Sequence, residues 1–139
     1  MLDLFAGTGS YGLEALSRGA SSACFVEQDN RTAEALRKNL ISLKYDFPVW
    51  KSPVEMWIPH GSSASFDLIF LDPPYDQPSL ELSEWKTVAG LDRLLAPGGR
   101  VIWEHSRQAT WKGVNPLQEV WRREYGQTCV SFLCHSSVS

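Results

Sequence analysis

The chain has 139 residues, 13 of them basic and 16 acidic, for a net charge of −3. That is one domain's worth of sequence, 1–139, long enough to bury roughly two-thirds of its unfolded surface. The charge balance excludes a protein that coats nucleic acid by charge alone, so any such contact needs a local patch.

Cys24, Cys129 and Cys134 form no C-x-x-C pair, and His60, His105 and His135 stand at no metal-ligand spacing, so no metal is expected. Cys129 and Cys134 are an odd number of steps apart and point to opposite faces of one strand, which argues against a disulfide between them. No signal peptide or apolar stretch of membrane-spanning length is present, and a reduced cytoplasmic protein with no membrane contact is the expectation.

In chain order, Met1 to Phe5 reads as a strand running into Gly7-Thr8-Gly9-Ser10-Tyr11-Gly12. This G-x-G-x-x-G loop opens a helix through Leu13, Ala15 and Leu16, the first half of a nucleotide-binding βαβ unit. The next apolar run, Ala23 to Val26, ends in Glu27, 20 residues beyond Gly7, where an acidic side chain takes ribose hydroxyls. Asp3 stands within the first strand, four residues ahead of Gly7, and can face the ammonium end of S-adenosylmethionine across the glycine turn. A dehydrogenase cofactor has no cation there. The plainer alternatives are a solvated strand-end acid for Glu27 and an acid that ties the turn together by hydrogen bonds for Asp3.

Asn30 is placed to cap a helix with an inner stripe of Ala33, Leu36, Leu40 and Leu43, followed by a short strand near Val49-Trp50. Pro53 begins a short helix carrying Val54, Met56 and Trp57, and Gly61-Ser62-Ser63 marks a loop. Phe66 to Leu71 has the length and bounding residues of a buried parallel strand and delivers Asp72-Pro73-Pro74-Tyr75 to the carboxyl edge of a sheet, where α/β folds bind ligands. Proline lacks an N–H and pushes its predecessor toward extended geometry, which makes the loop rigid and rich in acceptors. An exocyclic amine of guanine, adenine or cytosine is a poor nucleophile because its lone pair is delocalised into the ring. The Asp72 carboxylate and the Pro73 carbonyl can bind both amine hydrogens and favour a pyramidal nitrogen, with Tyr75 stacked on the base. The alternative is a stiff turn without chemistry.

Ser83 to Leu95 reads as helical, Pro97-Gly98-Gly99 breaks it, and Arg100 to Glu104 forms a fifth strand. Glu119 to Tyr125 and Thr128 to Cys134, joined through Gly126-Gln127, read as a hairpin. Five alternating strands and a terminal antiparallel pair make a doubly wound α/β sheet, with ligand loops after the first, second and fourth strands. Arg31, Arg37, Lys38 and Lys44, and Arg107, Lys112, Arg122 and Arg123, are the basic groups available to phosphates.

The run Leu2 to Gly9, followed by Gly12 to Ala20, resembles the RsmD-type methyltransferases that modify guanine N2 of bacterial small-subunit ribosomal RNA. Further matches are Phe25-Val26-Glu27, the strand from Phe66 that ends in Asp72-Pro73-Pro74-Tyr75-Asp76, Leu95 to Gly99, Glu104-His105-Ser106, Tyr125-Gly126 and Ser131-Phe132-Leu133. The resemblance covers nearly the whole chain. It implies a Rossmann-like class I methyltransferase fold with S-adenosylmethionine as cofactor. Gly7, Gly9 and Gly12 would shape the cofactor loop, Asp3 would face its methionine end and Glu27 its ribose. Asp72, Pro73 and Tyr75 would hold the target base. Transfer would be direct and in line, with no covalent enzyme intermediate and no metal.

Ser52 occupies the position where many methyltransferases of this fold carry an acid for the adenine amine, and a neutral acceptor is weaker there. Glu104 and His105 match the family's pattern without an assigned role. Family members also carry a basic segment before the first strand. The expectation that follows is poorer folding and slower transfer for a chain of this length than for an upstream-extended version. The implied partner is small-subunit ribosomal RNA within an assembled or partly assembled particle, met by a monomer. The competing functions are a DNA or RNA adenine or cytosine amino-methyltransferase and a truncated relative that binds cofactor or RNA without catalysis.

Overall fold

A computed structural model describes residues 1–73, 90–111 and 116–136. Seven strands, β1 (Leu2–Leu4), β2 (Cys24–Glu27), β3 (Val49–Lys51), β4 (Phe66–Leu71), β5 (Leu95–Ser106), β6 (Leu117–Tyr125) and β7 (Thr128–His135), form one sheet in the order β3-β2-β1-β4-β5-β7-β6. The first five are parallel, while β7 runs antiparallel to both β5 and β6. From β1 the chain winds outward through β2 to β3, then returns to place β4 on the other side of β1. That reversal opens a crevice at the carboxyl ends of β1 and β4, the place where ligands bind in such sheets.

Helices α1 (Ser10–Ser17) and α2 (Asn30–Ser42) follow β1 and β2, whereas α3 (Val54–Trp57), a 3₁₀ turn (Ile58–His60) and α4 (Leu91–Leu94) follow β3 and precede β5. Leu2, Leu4, Val26, Ile69, Leu71, Val101 and Trp103 pack with Val54, Trp57, Ile58, Leu91 and Leu94 in one buried cluster. Phe25 packs with Leu16, Leu36 and Leu40 in the other. β1 is buried on both faces, as a central parallel strand requires. On β4 only one face is fully buried, since Leu68 and Phe70 are half-buried.

Three local expectations need correction. The cap of α2 is Asp29, whose extended backbone lets its carboxylate accept the Thr32 N–H at 2.9 Å and the Thr32 hydroxyl at 2.6 Å; Asn30 is the first helical residue. Ala33, Leu36 and Leu40 form the buried stripe, but Leu43 lies past the helix end and is exposed. The short helix after Pro53 is α3 and carries Val54, Met56 and Trp57, with Val54 and Trp57 buried and Met56 exposed. Finally, Leu95 begins β5 and Pro97-Gly98-Gly99 stays within that strand, pairing across an irregularity between Phe66 and Leu68. The rest of the helix expected from Ser83 lies outside the described residues.

Candidate active site

Three carboxylates converge on the crevice from β1, β2 and the end of β4. Asp3 is 1% exposed, although it belongs to the sheet's central strand. Its Oδ2 accepts the Gly12 N–H at 3.1 Å, while Oδ1 has no partner. Burial pushes its carboxyl up to about 7; the Gly12 N–H opposes this, and the Asp72 and Glu27 charges add to it. Asp3 therefore does tie the turn together, but with only half of its carboxylate.

Glu27 closes the loop from the next strand. Its Oε1 accepts the Gly7 N–H at 2.8 Å and its Oε2 the Asp29 N–H at 2.8 Å, which rigidly aims the carboxylate while leaving lone pairs for further donors. Between these acids, Gly9 has φ 94°, and a Cβ there would lie 2.3 Å from Leu36 Cδ1. A Cβ on Gly12 would lie 2.2 Å from Phe25 Cε1. These two glycines serve turn geometry and close helix–sheet packing, and Gly7 supplies the N–H that orients Glu27. Phe5, just before the loop, has φ 58°, a conformation costly for an aromatic residue that is concentrated at functional sites.

A cavity of 230 Å³ lies over this edge, lined by Phe5, Glu27, Gln28, Ser52, Asp72 and Pro73 among others. Ser52 is placed by its own N–H, which donates to the Glu27 carbonyl at 3.1 Å, and its hydroxyl donates to the Pro53 carbonyl at 2.9 Å. The hydroxyl oxygen can still accept from a ligand. Burial raises the Asp72 carboxyl above its ordinary range. Thus the cavity joins Glu27, Ser52, Asp72 and Pro73 in one wall, with Asp3 behind the glycine loop. Tyr75 lies outside the described residues.

Two groups beside this wall had no assigned role in the sequence. The Tyr11 hydroxyl donates to Glu104 Oε2, and the Tyr11 ring stacks on Phe70 with centroids 4.9 Å apart and planes at 15°. Gln28 also lines the cavity; its place directly after Glu27 was the available signal. His105 is turned to the opposite face of β5, stacked on Trp103 at 3.8 Å. Among the basic candidates, Arg122 donates to the carbonyls of Ala109 and Arg107, Arg107 pairs with Glu124 at 2.8 Å, and Arg37 donates to the Val49 carbonyl. These three brace the fold. Lys112 lies outside the described residues.

The sequence pattern described as Conserved hypothetical protein 95 matches residues 1–134. The chain belongs to this family. It is 32% identical over 136 residues to YlbH of Bacillus subtilis, a proposed rRNA methyltransferase, covering 94% of this chain and 72% of that protein. It is 41% identical over 78 residues to ribosomal RNA small subunit methyltransferase D of Haemophilus influenzae, covering 53% of this chain and 40% of the relative. The solved structure of HI0767 from Haemophilus influenzae, a proposed methylase, superposes with a TM-score of 0.82 at 27% identity, over 98% of this chain and 86% of that one. The fold is accordingly the Rossmann-like class I methyltransferase fold, and the chain is RsmD-like.

Family and fold make S-adenosylmethionine the methyl donor. The residues present fit it. Among the described residues none of Asp3, Glu27 and Asp72 has a basic partner, and Asp3 Oδ1 is buried without a hydrogen-bond partner. A ligand carrying ammonium and sulfonium charges relieves that cost, and Glu27 offers acceptors for its ribose. No helix among the described residues is long and apolar enough to cross a membrane.

Proposed function

We propose that this protein methylates the exocyclic N2 amine of a guanine in small-subunit ribosomal RNA, acting as a monomer in the cytoplasm on an assembled or partly assembled particle. The observation that carries the reading is the placement of Asp72 and Pro73 in the same cavity wall as Glu27 and Ser52, at the sheet's reversal point. A grip for an amine thus adjoins a cradle for a methyl donor. The name of the Haemophilus relative supports the ribosomal substrate.

Bound S-adenosylmethionine supplies an electrophilic methyl carbon on a sulfonium. Asp3 would hold the ammonium, Glu27 the ribose hydroxyls and Ser52 the adenine amine, while Gly7, Gly9 and Gly12 shape the loop between them. Beside them, Asp72 and the Pro73 carbonyl would accept the two amine hydrogens and turn the nitrogen lone pair toward the donor. Tyr75 stacks on the base. Transfer of that methyl would leave the C–S electron pair on the departing sulfur and a proton to be taken from the amine nitrogen. Asp72, with its carboxyl raised by burial, is suited to take that proton. The target base must be unpaired or turned out of its stack to reach this wall.

The test is nucleoside mass spectrometry of unmodified small-subunit particles treated with the protein and labelled donor. N2-methylguanine is the expected product. N6-methyladenine or N4-methylcytosine would assign the site to another amine, and cofactor binding without any product would assign the protein to a non-catalytic binding role.

A further inference from the structure

The last registered pair between β4 and β5 is Leu71 with Trp103. The next residue on each strand is a carboxylate, Asp72 and Glu104, and adjacent strands lie about 4.8 Å apart. Glu104 is half-buried and held from α1 by the Tyr11 hydroxyl, whose ring is braced against Phe70 of β4. An amine already matched by Asp72 and the Pro73 carbonyl does not call for a second carboxylate at the same height, held by a stacked aromatic.

Guanine alone among the standard bases presents two kinds of donor side by side on its pairing edge, the N2 amine and the N1–H. Adenine carries a bare N1 there, as does 2-aminopurine, which keeps the N2 amine. We infer that Glu104 is a specificity residue that accepts the guanine N1–H while Asp72 and Pro73 hold the N2 amine, so that paired strand-end carboxylates select guanine. The inference rests on the guanine-N2 reading above. Tyr11 is its positioning residue: its hydroxyl donates to one oxygen of Glu104, and its ring is braced on Phe70.

A carboxylate set against a bare ring nitrogen meets lone-pair repulsion and loses its hydrogen bond, a penalty that polar-lined sites turn into large discrimination. After the modified guanine has been mapped, a synthetic RNA carrying that position as guanine, 2-aminopurine or 1-methylguanine supplies the test. The parent should prefer guanine over 2-aminopurine by at least about a hundredfold in kcat/KM and fail on 1-methylguanine. Glu104→Gln keeps an oxygen for Tyr11 and adds an N–H that suits a bare N1, so it should bring the two substrates to within about tenfold of each other while cofactor affinity stays parental. A merely structural Glu104 would lower both substrates equally.

Comparable parental rates on guanine and 2-aminopurine overturn the inference with no variant required, as does an unchanged preference in Glu104→Gln. Failure of the parent to methylate any guanine N2 instead defeats the reading on which it rests.

Discussion

Two buried polar sites in the same sheet are solved in opposite ways. At the crevice, Asp3 keeps one oxygen without a partner and carries a carboxyl pushed up to about 7. Across β5, β7 and β6, His105 bonds the Ser131 hydroxyl at 2.7 Å and the Ser106 carbonyl at 2.8 Å, and the Ser131 hydroxyl donates to Glu119 Oε2 at 2.7 Å. Each of those polar atoms has a partner within hydrogen-bond distance, and the contacts pin the terminal hairpin to the sheet. The neighbouring Trp103 Nε1 is unpartnered as well, but a neutral N–H costs about 1–3 kcal/mol, less than an unpaired buried charge. A polar network whose atoms all have partners marks architecture, and a buried carboxylate oxygen left without one marks a place for a ligand.

The contrast is broken most severely by Asp72→Ala. If the crevice acids are chemical and not architectural, this variant retains parental cofactor affinity and loses about 10²–10⁴-fold in methyl transfer, the usual span for a group that takes a proton in the transition state. Single-turnover transfer of labelled methyl measures it. Near-parental rates would return Asp72-Pro73 to the role of a stiff turn.

Asp3→Asn sharpens the comparison because stability and function should move in opposite directions. An acid whose carboxyl is raised in the folded state contributes stability that is fully present below about pH 4 and is lost as pH climbs to about 7, by about 1.4 kcal/mol per unit. Asparagine removes that loss, so the variant should be more stable than the parent at pH 8 in urea unfolding, with the advantage shrinking at pH 5. Its cofactor affinity should fall roughly tenfold to a hundredfold. Parental affinity should also weaken below about pH 7, since a proton on Asp3 competes with the ligand's cation. Lower stability of Asp3→Asn at pH 8 would show that the carboxylate is structural.

Glu27→Ala acts on a residue that is both aimed and satisfied, with N–H groups of Gly7 and Asp29 on its two oxygens. If it holds the ribose as proposed, its loss should weaken cofactor binding by about 1.5–3 kcal/mol, or roughly ten- to a hundredfold, in calorimetry. Unchanged affinity would remove Glu27 from the cofactor site.

The crevice was legible in sequence because its parts are local: a short strand, a glycine loop and an acid at fixed spacing, then an apolar run stopped by two prolines. The raised carboxyl of Asp3 was not legible, since it arises from the summed burial and charges of three strands. Tyr11 and Glu104 are separated by 93 positions, and their contact depends on the register of β5 against β4. Asp29 and Asn30 are both good caps, so composition alone cannot choose between them. The early start of β5 was hidden because Pro97-Gly98-Gly99 reads as a breaker, whereas pairing to β4 keeps the backbone extended through it.

The smallest effect on function should come from the satisfied site. Ser131 is fully buried, and its hydroxyl joins His105 of β5 to Glu119 of β6. Ser131→Ala leaves the imidazole and the carboxylate each short of a partner, which costs about 1–3 kcal/mol of unfolding free energy. Because that network lies on the face of β5 turned away from Glu104, the cofactor affinity of Ser131→Ala should match the parent's. Chemical denaturation and calorimetry on the same preparation provide the check. A fall in cofactor affinity without a fall in stability would show that the hairpin network reaches the crevice, and the division between architectural and ligand-awaiting polar sites would fail.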